Sequence, residues 1–255
     1  MKPKVAFFDF ASCEGCQLAV LDLEDELLDL VNIVEIVNFR EAISERGEDY
    51  DIAFVEGSIS TQHHIERIKK IREKAKLLIT IGACAATGDF QYMVNFMDFE
   101  EVKKYVYGDK AKYFDTIKAK PVDQVVKVDF KIPGCPINKY EFLKVVKQLI
   151  AGGLPRIPNY SVCSECKMQG NECLLKKGIV CLGPVTRAGC GAICPKNYKG
   201  CFGCRGLAPE HNLESFKQVL KEAGLTESDI IEQFKLINGR DLHLLQAGGE
   251  EKKKC

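Results

Sequence analysis

Twelve of the thirteen cysteines in this chain fall into three sets of four, and that arithmetic limits its fold more than any other feature. Cys13, Cys16, Cys84 and Cys135 are spread along the first half, whereas Cys163, Cys166, Cys173, Cys181, Cys190, Cys194, Cys201 and Cys204 crowd into residues 163–204. Four thiolates are the ligand set of a cubane iron–sulfur cluster or of a structural zinc ion, so three fours imply three metal sites. Only Cys255, behind the charged run Glu250–Lys254, is left over.

At 255 residues with 46 % hydrophobic composition, the chain can hold one large domain or a medium one plus a small one, with an ordinary buried core. It has no apolar run of bilayer-spanning length, and its start shows neither a signal-peptide core nor a twin-arginine pair. These signs place it in the cytoplasm, with no membrane span, where cysteines stay reduced and open to metal rather than paired as disulfides. Its 36 basic and 36 acidic residues balance without a basic stripe, which argues against nucleic-acid binding. Three 2+ cubane cores on twelve thiolates would leave the loaded chain at about −6.

The first half alternates strand-like and helix-like segments. Val5–Phe8, Ile33–Phe39, Ile52–Val55, Leu77–Ile81 and Val125–Ile132 read as strands; Leu18–Leu30, His64–Lys74 and Lys139–Ile150 read as helices. A polar, aromatic-rich excursion occupies Gly88–Lys120. Such alternation predicts an α/β fold with a flavodoxin-like parallel sheet, followed by a small, loop-rich cysteine domain with C-terminal helices at Leu213–Ala223 and Glu227–Ile237. The breaker-rich linker Ala151–Pro158 sets the expected domains at 1–152 and 153–255, the latter ending in a polar tail. Because the cysteine segment holds few large apolar side chains, ligation is expected to supply much of its folding free energy.

On this map Cys13 and Cys16 follow the first strand, Cys84 follows Leu77–Ile81 and Cys135 follows Val125–Ile132. All four therefore lie beyond the carboxyl ends of parallel strands, where open α/β sheets hold their ligands. Gly15, Gly82 and Gly134 beside them allow close backbone approach. In the second half the spacings are C-x2-C-x6-C-x7-C and then C-x3-C-x6-C-x2-C. Two consecutive fours are the simplest partition; interleaved ligands, as in ferredoxin-type runs, and zinc are alternatives that spacing leaves open. The glycine-bounded Gly82–Gly88 lacks the Lys-Ser/Thr of a phosphate loop, and cysteines occupy the turn where a flavin phosphate would bind. His63, His64, His211 and His243 show no ligand spacing. Glu14 and Glu56 read first as solvated carboxylates, with a partner-facing proton path as the alternative.

Cys13-Glu-Gly-Cys-Gln17, Val55-Glu-Gly-Ser58, Gly82-Ala-Cys-Ala85, Gly134-Cys-Pro136 and Cys181-Leu-Gly-Pro-Val-Thr186 together resemble successive motifs of the small subunit of [NiFe] hydrogenases. The resemblance covers nearly the whole chain. It is closest to the delta subunits of cytoplasmic sulfhydrogenases and NADP-reducing hydrogenases and to the small subunit of the methyl-viologen-reducing enzyme.

That resemblance implies three [4Fe–4S] clusters: a proximal one on Cys13, Cys16, Cys84 and Cys135, a distal one on Cys163, Cys166, Cys173 and Cys181, and a medial one on Cys190, Cys194, Cys201 and Cys204. It implies an electron-transfer subunit of a soluble hydrogenase, with no nickel site of its own. The partners it implies are a [NiFe] large subunit and a flavin/NAD(P)-binding or ferredoxin-like iron–sulfur subunit. Two departures separate the chain from periplasmic members: Cys163 stands where those have histidine, and Cys194 adds a fourth medial thiol. Both favour low-potential, all-thiolate clusters. A complex I-type or heterodisulfide-reductase-linked redox subunit is the runner-up, although a complex I-type subunit would not need residues 163–204.

Overall fold

The computed structural model describes residues 2–246, and the chain divides into two compact units between Ile157 and Pro158, at the end of the expected linker. The first unit holds seven strands: β1 (Lys4–Asp9), β2 (Glu35–Asn38), β3 (Ile52–Glu56), β4 (Ile59–Thr61), β5 (Leu77–Ile81), β6 (Thr116–Lys120) and β7 (Phe130–Ile132). Five form one wholly parallel sheet in the order β2-β1-β3-β5-β7. This is the flavodoxin-like, doubly wound order, with β1 and β3 at the point where the winding reverses. β4 and β6 form a separate antiparallel pair.

Each strand's alternation assigns its side chains to two cores. Val5 and Phe7 of β1 and Phe54 of β3 point to one face, covered by α1 (Gly15–Leu21), α2 (Asp25–Ile33) and α6 (Lys139–Ile150). Ala6 and Phe8, with Ala53 and Val55, point to the other, covered by α3 (Gln62–Lys74) and α4 (Gly82–Thr87). β3 is buried at all five positions, which explains its uninterrupted apolar character. Phe7 stacks on Phe39 at 4.2 Å and on Phe54 at 4.9 Å between ring centroids. Burying each such ring contributes about 1.5–3 kcal/mol.

The expected helix over Leu18–Leu30 is two helices. Asp22, Glu24, Asp25 and Glu26 would place four carboxylates inside one helix; the break at Glu24, with φ 53°, puts Asp25 and Glu26 in the first turn of α2, where the helix dipole favours them. The expected strand Val125–Ile132 pairs only from Phe130 onward. The Asp129 carboxylate accepts from the Leu78 N–H and from Arg72, while Val125, Val126 and Val128 pack against the second core instead of joining the sheet. The excursion from Gly88 contains 3-10 turns and α5 (Phe99–Tyr107), capped by the Asp98 carboxylate and without a buried side chain.

The second unit contains α7 (Val162–Met168), α8 (Ile193–Lys196), α9 (Leu213–Glu222), α10 (Glu227–Ile237) and α11 (Leu242–Gln246). The cysteine segment has more apolar support than its composition suggests. Phe216 and Leu220 of α9 and Ile230 and Phe234 of α10 join Val162, Leu182 and Val185 in one buried cluster that includes Cys181 and Cys201. Asn238 adds a buried tie, its amide donating to the Gly203 carbonyl at 2.7 Å. The expected tail continues beyond residue 246, outside the described residues. Among the described residues no helix is long and apolar enough to cross a membrane.

Candidate metal centres

The loops that follow β1, β5 and β7 bring the first four cysteines to the carboxyl end of the sheet. β1 ends at Asp9, and the chain turns through Cys13 into α1, which begins at Gly15. No local side chain caps α1: Glu14 holds the N-cap position in a left-handed conformation, φ 60°, without a capping hydrogen bond. The cap comes from β3 instead. Glu56, 1 % exposed, accepts the Cys16 N–H on Oε1 at 3.1 Å and the Gln17 N–H on Oε2 at 3.0 Å. One carboxylate thus satisfies two orphan donors of the helix start and fixes the Cys13–Cys16 loop to the central strand. Glu56 is therefore not the solvated carboxylate expected from sequence. Burial pushes its pKa up, against the lowering effect of the two N–H donors.

Gly82 follows β5 with φ 86°, and a Cβ there would lie 2.4 Å from Cys16 Sγ; only glycine leaves room for that sulfur. The Ala83 N–H donates to the Gly134 carbonyl at 2.7 Å, holding the Cys84 and Cys135 loops together. Cys84 donates its thiol to Asp89 Oδ2 at 3.5 Å, and the Asp89 carboxylate also bonds Cys135. Asp89 ties Cys84 to Cys135, and Cys16 is near enough to both for their charge to act on it, whereas Cys13 Sγ lies against Gly15 in its own loop. Cys13 and Cys135 are exposed, Cys84 half-buried and Cys16 buried.

Asp89 carries no mark of this role in the sequence beyond a Gly-Asp pair just after a cysteine. It is 1 % exposed, takes a left-handed conformation (φ 48°) just after α4, and its own pKa is raised by burial. Glu14 is half-buried and pairs with Glu41; burial first, and then Glu41, raises its pKa.

In the second unit Cys163 is coupled to Cys181, Cys166 and Cys173, and burial pushes its pKa up to about 12. Burial first raises the pKa of both Cys194 and Cys201; Cys190 and Cys181 then act on Cys194, and Cys181 and Cys204 on Cys201. Cys181 lies between the two groups, its sulfur accepting the Cys201 N–H at 3.2 Å. A methyl group built on Gly183 would touch the sulfurs of Cys181 and Cys163 at 3.4 and 3.5 Å. The Glu165 carboxylate accepts the N–H groups of Gly189 at 2.8 Å and Ala192 at 3.2 Å, joining α7 to the loop around Cys190.

These thiols suit a polynuclear group. Burial raises the pKa of Cys16, Cys84 and Cys201 above the ordinary thiol range, so their charged form needs a cationic core beside it. Gly82 and Gly183 let the backbone approach the Cys16, Cys163 and Cys181 sulfurs closely. Among the described residues, no three His, Cys, Asp or Glu side chains converge tightly enough to chelate a single ion.

Fold and site together define an α/β protein with grouped cysteines at the carboxyl end of a parallel sheet and in a separate cysteine-rich unit. Residues 13–149 match the family described as NADH ubiquinone oxidoreductase, 20 Kd subunit. The chain is 41 % identical over 221 residues to sulfhydrogenase 2 subunit delta of Pyrococcus furiosus, covering 86 % of this chain and 92 % of that one. It is 33 % identical over 270 residues to a chain of the F420-non-reducing hydrogenase vhu of Methanocaldococcus jannaschii, covering 92 % and 93 %. In fold it is similar to a chain of the actinobacterial-type NiFe-hydrogenase from Ralstonia eutropha H16, with TM-score 0.59 and 16 % identity over 99 % of this chain and 92 % of that one. The chain belongs to the NADH ubiquinone oxidoreductase 20 Kd family and, within it, to the small subunits of hydrogenases. It is an iron–sulfur, electron-transfer subunit of an oxidoreductase acting on H2.

Proposed function

We propose that this subunit carries electrons between the nickel–iron site of a separate large subunit and a flavin or iron–sulfur partner through three [4Fe–4S] clusters. The observation that carries the reading is the gathering of Cys16, Cys84 and Cys135 at the ligand end of the sheet, at the end of the loop that Cys13 opens. Cys13, Cys16, Cys84 and Cys135 would hold the proximal cluster, Cys163, Cys166, Cys173 and Cys181 the distal one, and Cys190, Cys194, Cys201 and Cys204 the medial one. Cys163 faces Cys166, Cys173 and Cys181, as the first of two consecutive fours requires, and Cys181, which also acts on Cys194 and Cys201, is the ligand at the boundary between the two sets.

When bound, such clusters supply one-electron steps without large rearrangement of their ligands. The chain's own residues position and shield them. Glu56 holds the Cys16 N–H in place, Asp89 sets negative charge beside Cys84 and Cys135, and both charges work to keep the proximal potential low. The family match ends at residue 149, before the eight later cysteines, which favours a hydrogenase wire over a complex I-type chain. A cytoplasmic location agrees with twelve cysteines available for ligation.

Replacing Cys194 tests the three-site reading. Cys194→Ala is expected to leave three thiolates at the medial site and to give a [3Fe–4S] EPR signal in the oxidised protein, absent from the parent. An unchanged spectrum would take Cys194 out of the medial set.

A further inference from the structure

The chain as a whole is electrically balanced, but residues 163–204 are not. They carry five lysines and one arginine against two glutamates. Both glutamates are engaged: Glu165 accepts the backbone N–H groups of Gly189 and Ala192, and Glu172 pairs with Lys177 at 2.6 Å. Lys167, Lys176, Lys177, Lys196 and Lys199 are all exposed.

The fold of the second unit collects these lysines. Gln169, just beyond α7, donates its amide to the Gly191 carbonyl at 2.9 Å, and Glu165 binds the same loop, so Lys167 is held near the approach to α8. Lys177, in the 3-10 turn Leu174–Lys177, places its ammonium 5.7 Å from the centre of the Tyr198 ring. Tyr198 and Lys199 close the turn after α8, where the Lys199 N–H donates to the Cys194 carbonyl at 2.9 Å. Three large apolar side chains stand out among the lysines: Met168 at 75 %, Ile193 at 58 % and Tyr198 at 67 % exposure. Tyr198 sits at φ 56°, a conformation that costs a non-glycine residue energy. Cys173 is itself exposed.

A few exposed apolar groups among side chains of like charge is the pattern of a small, reversible docking surface. Association is guided by charge, and the limited apolar area keeps it short-lived. We propose that this lysine-rich patch docks an acidic, ferredoxin-like iron–sulfur protein that takes electrons from the second unit. The proposal rests on the reading that this unit carries electrons outward. Oxidation of one H2 releases two electrons and two protons, so two one-electron carriers must dock in turn. Lysines serving only to offset cluster charge would gain most by lying buried against the sulfurs, where salt screens least; all five are instead in solvent.

The test uses the intact hydrogenase complex carrying K176E/K199E, with K176Q/K199Q as the milder variant. H2-dependent reduction is followed with an acidic single-cluster ferredoxin, a basic c-type cytochrome and methyl viologen. For the parent, the second-order rate with ferredoxin is expected to fall as ionic strength rises. Charge reversal should lower that rate about tenfold or more at low salt, flatten its salt dependence, and leave reduction of cytochrome and viologen undiminished. The glutamine pair should fall between. A ferredoxin rate and salt dependence equal to the parent's, with cluster EPR signals intact, would overturn the docking proposal alone. Loss of those signals, or of viologen reduction, in the parent complex would instead overturn the electron-transfer reading beneath it.

Discussion

Cys84→Ser is expected to cut H2-dependent dye reduction by more than about 100-fold, beyond the usual effect of losing an outer partner of a metal site. Cys84 lies on α4 directly after β5, close to Cys135 and bonded to Asp89. Its loss removes one thiolate from the proximal site, the station nearest the nickel by the proposed arrangement. The substitution leaves the second unit's apolar cluster untouched, because Val162, Leu182, Phe216 and Phe234 lie in that unit. EPR of the variant complex should therefore keep the signals of the two C-terminal clusters and lose those of the proximal one. Turnover at the parent rate would contradict the placement of Cys84 in the electron path.

Glu56→Ala has the second-largest expected effect, because one side chain serves two buried donors. Without it the Cys16 and Gln17 N–H groups lose their acceptors, at a cost of about 1–3 kcal/mol for each unsatisfied group. The first helical turn and the Cys13–Cys16 loop are also released from β3. Thermal unfolding of the variant should begin at lower temperature, and its proximal cluster should be lost first on exposure to chelator. Glu56→Gln keeps an acceptor for one of the two N–H groups, sets an amide donor against the other and removes the charge; it should recover part of the stability at most while raising the proximal potential in an EPR-monitored titration. Equal potentials for Gln and parent would show that the carboxylate acts only as a cap.

The contrast between these two residues shows what the sequence could disclose. Cys84 was legible because a buried parallel strand is a run of apolar residues, Leu77–Ile81, and a thiol following such a run lies at the ligand end of the sheet. Glu56 follows a similar run, Ile52–Val55, yet its role was hidden. Its partners are backbone N–H groups forty positions away in the chain, and backbone donors leave no mark on residue identity. Asp89 was hidden for a related reason, since the exposed-looking excursion after Gly88 folds that one carboxylate back onto two thiols. The amphipathic pattern of Leu213–Ala223 and Glu227–Ile237 announced two helices but not their target. That target is the cysteine segment, whose Val162, Leu182 and Val185 are too few to read as a core by themselves. Between Leu18 and Leu30 the apolar spacing concealed a break that the acidic run at Asp22–Glu26 could have signalled through the helix dipole.

The central claim is the number and kind of metal groups on this chain. Iron, acid-labile sulfide and zinc measured on the full-length chain purified without oxygen, with Mössbauer spectra of the same sample, test it most directly. Three cubanes predict about twelve irons and about twelve sulfides per chain, all in [4Fe–4S] environments, in a brown protein. About four irons per chain with the remaining cysteines on zinc, or a colourless zinc protein, would contradict it.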